Sequence, residues 1–194
     1  MDEARPHHIC GIEELHAAPL DTARRVISIL DPNAALPREL ANLRADLLVL
    51  RFDDVIVAGG DYRAPERDDI ERLLAFDRGH LDGDTLVLHC TAGISRSTAA
   101  FAILAAQRQP GAEADAFAQL RAIRARAWPN SLMIALADDI LDLRGRLVSE
   151  LREHYKMQLR RYPEVGRMMI GLGREREIPF DRLIPNPPRH GETS

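Results

Sequence analysis

The chain alternates short apolar runs with longer stretches in which apolar residues recur every three or four positions. Four runs, at residues 8–11, 26–30, 47–52 and 85–89, are brief, apolar, and bounded by polar or turn-forming residues. Runs of this kind predict buried strands, because a strand covered on both faces needs no polar alternation. Elsewhere the period changes. Across 66–77, Ile70, Leu73, Leu74 and Phe76 fall on a helical spacing behind acidic residues in the first turn, and Gly79 follows as a stop signal. Residues 97–109 are small and apolar almost all round, which predicts a buried helix ended by Pro110-Gly111. Residues 112–127 carry Phe117, Leu120 and Ile123 on one side. Pro129-Asn130-Ser131 then reads as a helix start, with one long helix expected to reach Tyr162 before Pro163.

Strands alternating with helices predict an α/β fold: a short, mostly parallel sheet of about four strands, helices on both faces, and a helical C-terminal half. Residues 1–165 are expected to form the domain. Residues 166–194 contain Pro179, Pro185, Pro187 and Pro188 and read as a tail, either a strap on the domain or partly disordered. Sites in parallel sheets lie beyond the carboxyl ends of the strands. The last strand therefore delivers Cys90 to the expected site.

Composition adds exclusions. With 194 residues the chain fits one domain with a core of its own. The net charge of −4 gives no global attraction for nucleic acid, although residues 151–194 are net +3 against −7 for the rest. Lys156 is the sole lysine among many arginines, a bias read as that of a GC-rich bacterial genome. Two cysteines make no disulfide framework. Met1-Asp2-Glu3 does not open a secretory leader, and no apolar run approaches a membrane span. A cytoplasmic setting is expected, with no membrane partner; it also suits a working thiolate.

The stretch that carries chemistry is His89-Cys90-Thr91-Ala92-Gly93-Ile94-Ser95-Arg96-Ser97. A strand ends at a cysteine, and six residues later an arginine opens a buried helix. Small residues lie between, with Gly93 free to adopt a positive φ. A loop of this length can curl so that successive amide N–H groups face inward as an anion nest, reinforced by the helix dipole. Arg96 adds a planar fork matched to two phosphate oxygens. The same field favours a thiolate at Cys90.

These residues resemble the His-Cys-x5-Arg-Ser/Thr signature of the protein tyrosine and dual-specificity phosphatase superfamily, over roughly residues 7–145. The resemblance implies that Cys90 attacks phosphorus. The amides of Thr91, Ala92, Gly93, Ile94, Ser95 and Arg96, with the Arg96 guanidinium, stabilise the equatorial oxygens. Ser97 assists the departing sulfur, and His89 orders the loop through a backbone hydrogen bond. No cofactor or metal is needed, because the nest supplies the positive charge. The general acid is expected on a loop upstream: Asp54 first, 36 positions before Cys90, then Asp53, then Asp61, with Gly59-Gly60 as hinges. None of Thr91, Ala92, Ile94 and Ser95 is basic, which favours an ordinary monoester, a phosphorylated protein or small phosphate, over inositol polyphosphates.

Other residues receive plainer readings. Cys10 is expected as a buried thiol, His7 and His8 as no metal site, Trp128 as a packing residue and Asn130 as a helix cap. Arg121, Arg124 and Arg126 either flank the site or form a solvated face. Two rival functions stay open: a sulfur-transfer or arsenate-reducing enzyme with Cys10 as second thiol, and a phosphopeptide-binding module that needs only the nest.

Overall fold

Where the chain is most continuously apolar, it forms the middle of a sheet. The computed structural model describes residues 7–78 and 84–179. Within them β1 (His7–Gly11), β2 (Arg25–Leu30), β3 (Asp46–Arg51) and β4 (Leu86–Cys90) pair in parallel in the order β1-β4-β2-β3. All five residues of β4 are buried, as expected of an inner strand between β1 and β2. Cys90 is thus the last residue of the strand itself. Its carboxyl end is flanked by the ends of β1 and β2, which supply Gly11 and Asp31.

Side-chain alternation divides the core. Ile9, Ile27, Ile29, Leu88 and Cys90 face a large cluster built with the helices. Cys10, Val26 and Val87 face a smaller one with Leu15 and Leu40. Helical segments cover both faces, unequally. Among the described residues the α-helices are α1 (Arg67–Asp77), α2 (Arg96–Arg108), α3 (Glu113–Ile123), α4 (Ser131–Ile140), α5 (Arg146–Arg161) and α6 (Pro163–Gly171). They place their buried apolar side chains in the large cluster, and short 3-10 turns at Ile12–Ala17 and Arg38–Leu40 close the other face. In α2, Ala99, Ala100, Ala102 and Ala106 are buried, and their small side chains let the sheet and the flanking helices approach closely.

The long helix expected to reach Tyr162 is two helices. Asp142, Arg144 and Gly145 take positive φ angles of 50°, 55° and 83°, and the chain turns there. The Asp138 carboxylate draws the new helix start inward. It accepts from the amides of Gly145 (2.6 Å), Leu147 (2.8 Å) and Val148 (3.2 Å), donors that a helix start leaves unpaired. Pro163 does not end the helical region but opens α6 as its first residue, where a missing N–H costs nothing. The boundary expected at residue 165 therefore falls inside a helix whose Val165 and Met169 are part of the main core. Gly79, Pro185, Pro187 and Pro188 lie outside the described residues. No helix among the described residues is long and apolar enough to cross a membrane.

Candidate active site

Residues 91–95 curl between the end of β4 and the start of α2, with their carbonyls turned outward. The Thr91 carbonyl accepts from the Ile12 amide (3.1 Å), and the Ile94 carbonyl from the Trp128 amide (2.8 Å). Ser95 accepts from the Ala99 amide (2.9 Å) and the Asn130 amide (3.3 Å). Arg124 reaches behind the loop to the carbonyls of Ala92 (3.3 Å, from Nη2) and Gly93 (3.0 Å, from Nε). The amides of residues 92–95 donate to no protein acceptor among the described residues. With the carbonyls held outside, those amides are free to serve an anion as a nest.

Gly93 makes this curl possible. Its φ is +68°, and a Cβ there would stand 2.4 Å from the Cys10 carbonyl carbon and 2.5 Å from the Gly11 nitrogen. Both conditions require glycine, since those neighbours are backbone atoms of a paired strand.

Arg96 opens α2 and is only 3% exposed. Its Nη1 donates to Asp31 Oδ1 (2.7 Å) and to the Phe52 carbonyl (2.7 Å), and its Nη2 to Thr91 Oγ1 (2.9 Å). Nε is buried without a partner among the described residues. The guanidinium is thus braced on one side and keeps donors for a ligand, a suitable state for a phosphate clamp. Asp31, which sequence reasoning missed, is carried by the turn after β2. Arg51 fastens that turn by donating to the Ala34 carbonyl (2.7 Å).

The Cys90 sulfur is buried, 3.3 Å from the Ser97 hydroxyl. His89 is fully buried, with its ring against the Cys90 backbone but neither ring nitrogen in a well-formed hydrogen bond among the described residues. Burial lowers its pKa to about 4, against a smaller upward pull from the Cys90 backbone, and keeps the ring neutral. His89 lies beside Cys10 in the strand register, while Cys90 lies beside Gly11. The two sulfurs therefore project to opposite faces of the sheet, and Cys10 is not arranged as a second thiol for Cys90. Burial pushes the Cys10 thiol up to about 12, with the Glu14 charge adding to the rise.

Of the three expected acids, the structure brings Asp54 to the loop. Its Oδ1 accepts from the Ser95 hydroxyl (2.7 Å), Asn130 Nδ2 (2.9 Å) and Arg174 Nη1 (3.3 Å). Asp53 instead accepts from the Arg63 amide (2.8 Å), a turn-forming bond. Asp61 lies in the neighbouring turn, where Gly59 and Gly60 take φ of 129° and 70°. Asp31, Asp53, Asp61, the exposed Tyr62 and Arg63 line a cavity of about 520 Å³ beside the Asp31 end of the cradle.

Asn130 does more than the cap expected of it. Its Oδ1 accepts from the Met133 amide (3.0 Å), while its Nδ2 binds Asp54 and the Val55 carbonyl (3.0 Å). Of the three arginines in question, Arg124 braces the loop, Arg121 approaches His154 (3.4 Å) and Arg126 approaches Glu164 (3.6 Å). Arg174 and Glu177, placed beyond the expected domain boundary, are buried at the site. No signal in the sequence pairs a residue with a partner 120 positions away. Among the described residues no three His, Cys, Asp or Glu side chains gather as a metal site.

Comparison with solved structures assigns the architecture. A Cydia pomonella phosphatase, PTP-2, matches 70% of this chain and 86% of its own at 22% identity, with a TM-score of 0.54. Human DUSP28 matches 72% and 93% at 16% identity, TM-score 0.53. The chain has the fold of the tyrosine and dual-specificity phosphatases. A human tyrosine phosphatase-like serine/threonine/tyrosine-interacting protein shares this phosphatase fold, with 22% identity over 70% of this chain and 87% of its own, TM-score 0.53. No family model matches the chain, and no curated protein matches its sequence. In phosphatase-fold terms, Cys90 and Arg96 stand at the two ends of the strand–loop–helix turn, and Asp54 faces it from the loop after β3.

Proposed function

We propose that the protein hydrolyses phosphate monoesters, phosphotyrosine in a protein or a similar small aryl phosphate, through a cysteinyl-phosphate. The carrying observation is the loop itself. It holds its carbonyls outward, ends on Cys90 and Arg96, and touches a carboxylate, Asp54, through its own Ser95. The sulfur attacks phosphorus, and the P–O bond to the substrate breaks. Loop amides and the Arg96 guanidinium offset the charge growing on the equatorial oxygens. Asp54 gives its proton to the departing oxygen. Water, deprotonated by the same carboxylate, then attacks phosphorus. The P–S bond breaks, inorganic phosphate leaves, and the Ser97 hydroxyl donates to the released sulfur. No basic side chain at positions 91, 92, 94 or 95 invites a second phosphate, which supports a singly phosphorylated substrate. A reducing compartment such as the cytoplasm would keep Cys90 active.

The fold alone does not separate catalysis from binding, since a phosphatase-like interacting protein shares it; the acid at the loop is what favours turnover. Hydrolysis of an aryl phosphate by wild type, Cys90→Ser and Asp54→Ala tests the reading. Cys90→Ser should abolish turnover yet still bind phosphate, and Asp54→Ala should slow it by roughly 10²–10⁴-fold. Unchanged turnover in Cys90→Ser overturns the mechanism, and a wild-type protein that binds but never hydrolyses is a binding module.

A further inference from the structure

We propose that Arg174, on the segment after α6, is a positioning residue that decides which oxygen of Asp54 carries the transferable proton. The inference rests on the phosphatase reading above and concerns a residue 120 positions from the acid it serves.

Three donors converge on Asp54 Oδ1: the Ser95 hydroxyl at 2.7 Å, Asn130 Nδ2 at 2.9 Å and Arg174 Nη1 at 3.3 Å. A carboxylate oxygen offers about two lone-pair directions. Oδ1 is saturated, so a proton on this carboxyl group must sit on Oδ2, the oxygen left to face a substrate. Arg174 acts twice here. Its Nη1 also donates to Ser95 Oγ at 2.8 Å. A hydroxyl that accepts from a guanidinium turns its own hydrogen elsewhere, and Asp54 Oδ1 is the acceptor it meets. Without Arg174 the Ser95 hydrogen can rotate, Oδ1 loses a partner, and the proton can settle on either oxygen.

The guanidinium is built for this task. It is 4% exposed, and its Nε and Nη2 grip the two oxygens of Glu177 at 2.8 Å each. That fork leaves Nη1 aimed at the site. Glu177 is itself fixed by the Trp128 indole N–H (2.7 Å), the Ser131 amide (2.9 Å) and the Tyr155 hydroxyl (3.0 Å). Trp128 and Tyr155 stack with centroids 4.3 Å apart. Because Glu177 balances Arg174, the arginine gives Asp54 direction rather than a large net positive field. A stretch that pattern reading assigns to the tail is thereby part of the acid's mounting.

The test uses two substrates on the full chain. Phosphotyrosine releases a phenolate that needs a proton, whereas a strongly electron-poor aryl phosphate releases one that leaves unprotonated. Arg174→Lys and Arg174→Ala should lower kcat/KM on phosphotyrosine, which reports the steps up to the cysteinyl-phosphate and not the water step that the same carboxylate serves, by about 10- to 100-fold, the scale of a reacting group misplaced by an ångström. They should leave kcat/KM on the activated substrate within about threefold, a difference that a merely structural role would not produce. In an Asp54→Asn background, Arg174→Lys should add no further loss, because both changes act on one proton. The activated substrate also reports that the fold is intact, and if Arg174→Ala does not fold, Arg174→Lys decides. Equal losses on both substrates, or no loss on phosphotyrosine, overturn the proposal. If Asp54→Asn shows the leaving-group dependence and the Arg174 variants do not, this inference fails while the phosphatase reading stands. If Asp54→Asn does not show it, both fall.

Discussion

The Ser97 hydroxyl lies 3.3 Å from the Cys90 sulfur, and both groups are buried at the start of α2. A hydrogen bond to a charged atom contributes about 1.5–3 kcal/mol, which corresponds to roughly 10- to 100-fold in rate. In the proposed mechanism that bond acts when sulfur leaves phosphorus. Ser97→Ala should therefore lower kcat by that factor while the first half-reaction stays fast. Rapid-quench kinetics should show a burst of alcohol product and an accumulating phosphoenzyme. A steady state with no burst and an unchanged kcat would contradict the role.

Gly93→Ala tests the cradle. An L-residue at φ +68° costs about 1–2 kcal/mol, and forcing a methyl group against packed neighbours costs about 1–3 kcal/mol more. Urea denaturation should show a loss of about 2–5 kcal/mol, together with loss of phosphate binding. Gly111 also has positive φ, +95°, but a Cβ there meets nothing within 4 Å. Gly111→Ala should cost only the backbone share, about 1–2 kcal/mol, with normal phosphate binding.

Acid should destabilise the fold before its carboxylates titrate. Burial lowers both His89 and His154 to about 4. His154 is held neutral between Ala127, whose carbonyl accepts from Nε2 (2.9 Å), and Arg121 (3.4 Å). In the unfolded chain both titrate near their ordinary value, about 6.5. Between pH 6.5 and 4 the unfolded state binds more protons, so stability rises with pH across that window. It is complete above about 6.5 and lost progressively as pH falls toward 4, by up to about 3 kcal/mol for each histidine. Urea midpoints at pH 7.5, 6 and 5 should show this decline, and His154→Gln should flatten it. A midpoint independent of pH across the window would refute it.

Cys10 should be inert while the protein is folded. It is buried on the face of the sheet away from the cradle, and burial pushes its thiol up to about 12. An alkylating reagent at pH 8 should modify Cys90 alone, and Cys10 only after denaturation. Mild peroxide should yield no disulfide between the two, since they project from opposite faces of the sheet. Mass spectrometry of the oxidised protein decides, and a Cys10–Cys90 disulfide would revive the sulfur-transfer reading.

What the sequence revealed follows the range of the forces involved. The four strands and α2 were legible because their apolar runs are local and unbroken, and the strand–loop–helix turn of residues 89–97 because it occupies nine consecutive residues. Asp54 was legible as a candidate from its place after a strand, but only its bonds to Ser95, Asn130 and Arg174, all made by folding, separate it from Asp53. The break between α4 and α5 carries no proline; it depends on Asp138 reaching forward to cap a helix start, with Asp142 and Arg144 in unusual backbone conformations. Asp31, 65 positions from Arg96, and Arg174, 120 from Asp54, were hidden for a simpler reason. An ion pair made by folding leaves no periodicity behind.

The outward carbonyls of residues 91–95 are tethered to Ile12, Arg124, Trp128, Asn130 and α2, so the mould exists before any guest arrives. A mould set in advance greets every tetrahedral oxyanion alike. If the proposed function holds, vanadate, tungstate and orthophosphate should all compete for it, and discrimination among natural guests should fall to the walls outside it, where Asp31, Asp61 and Tyr62 stand.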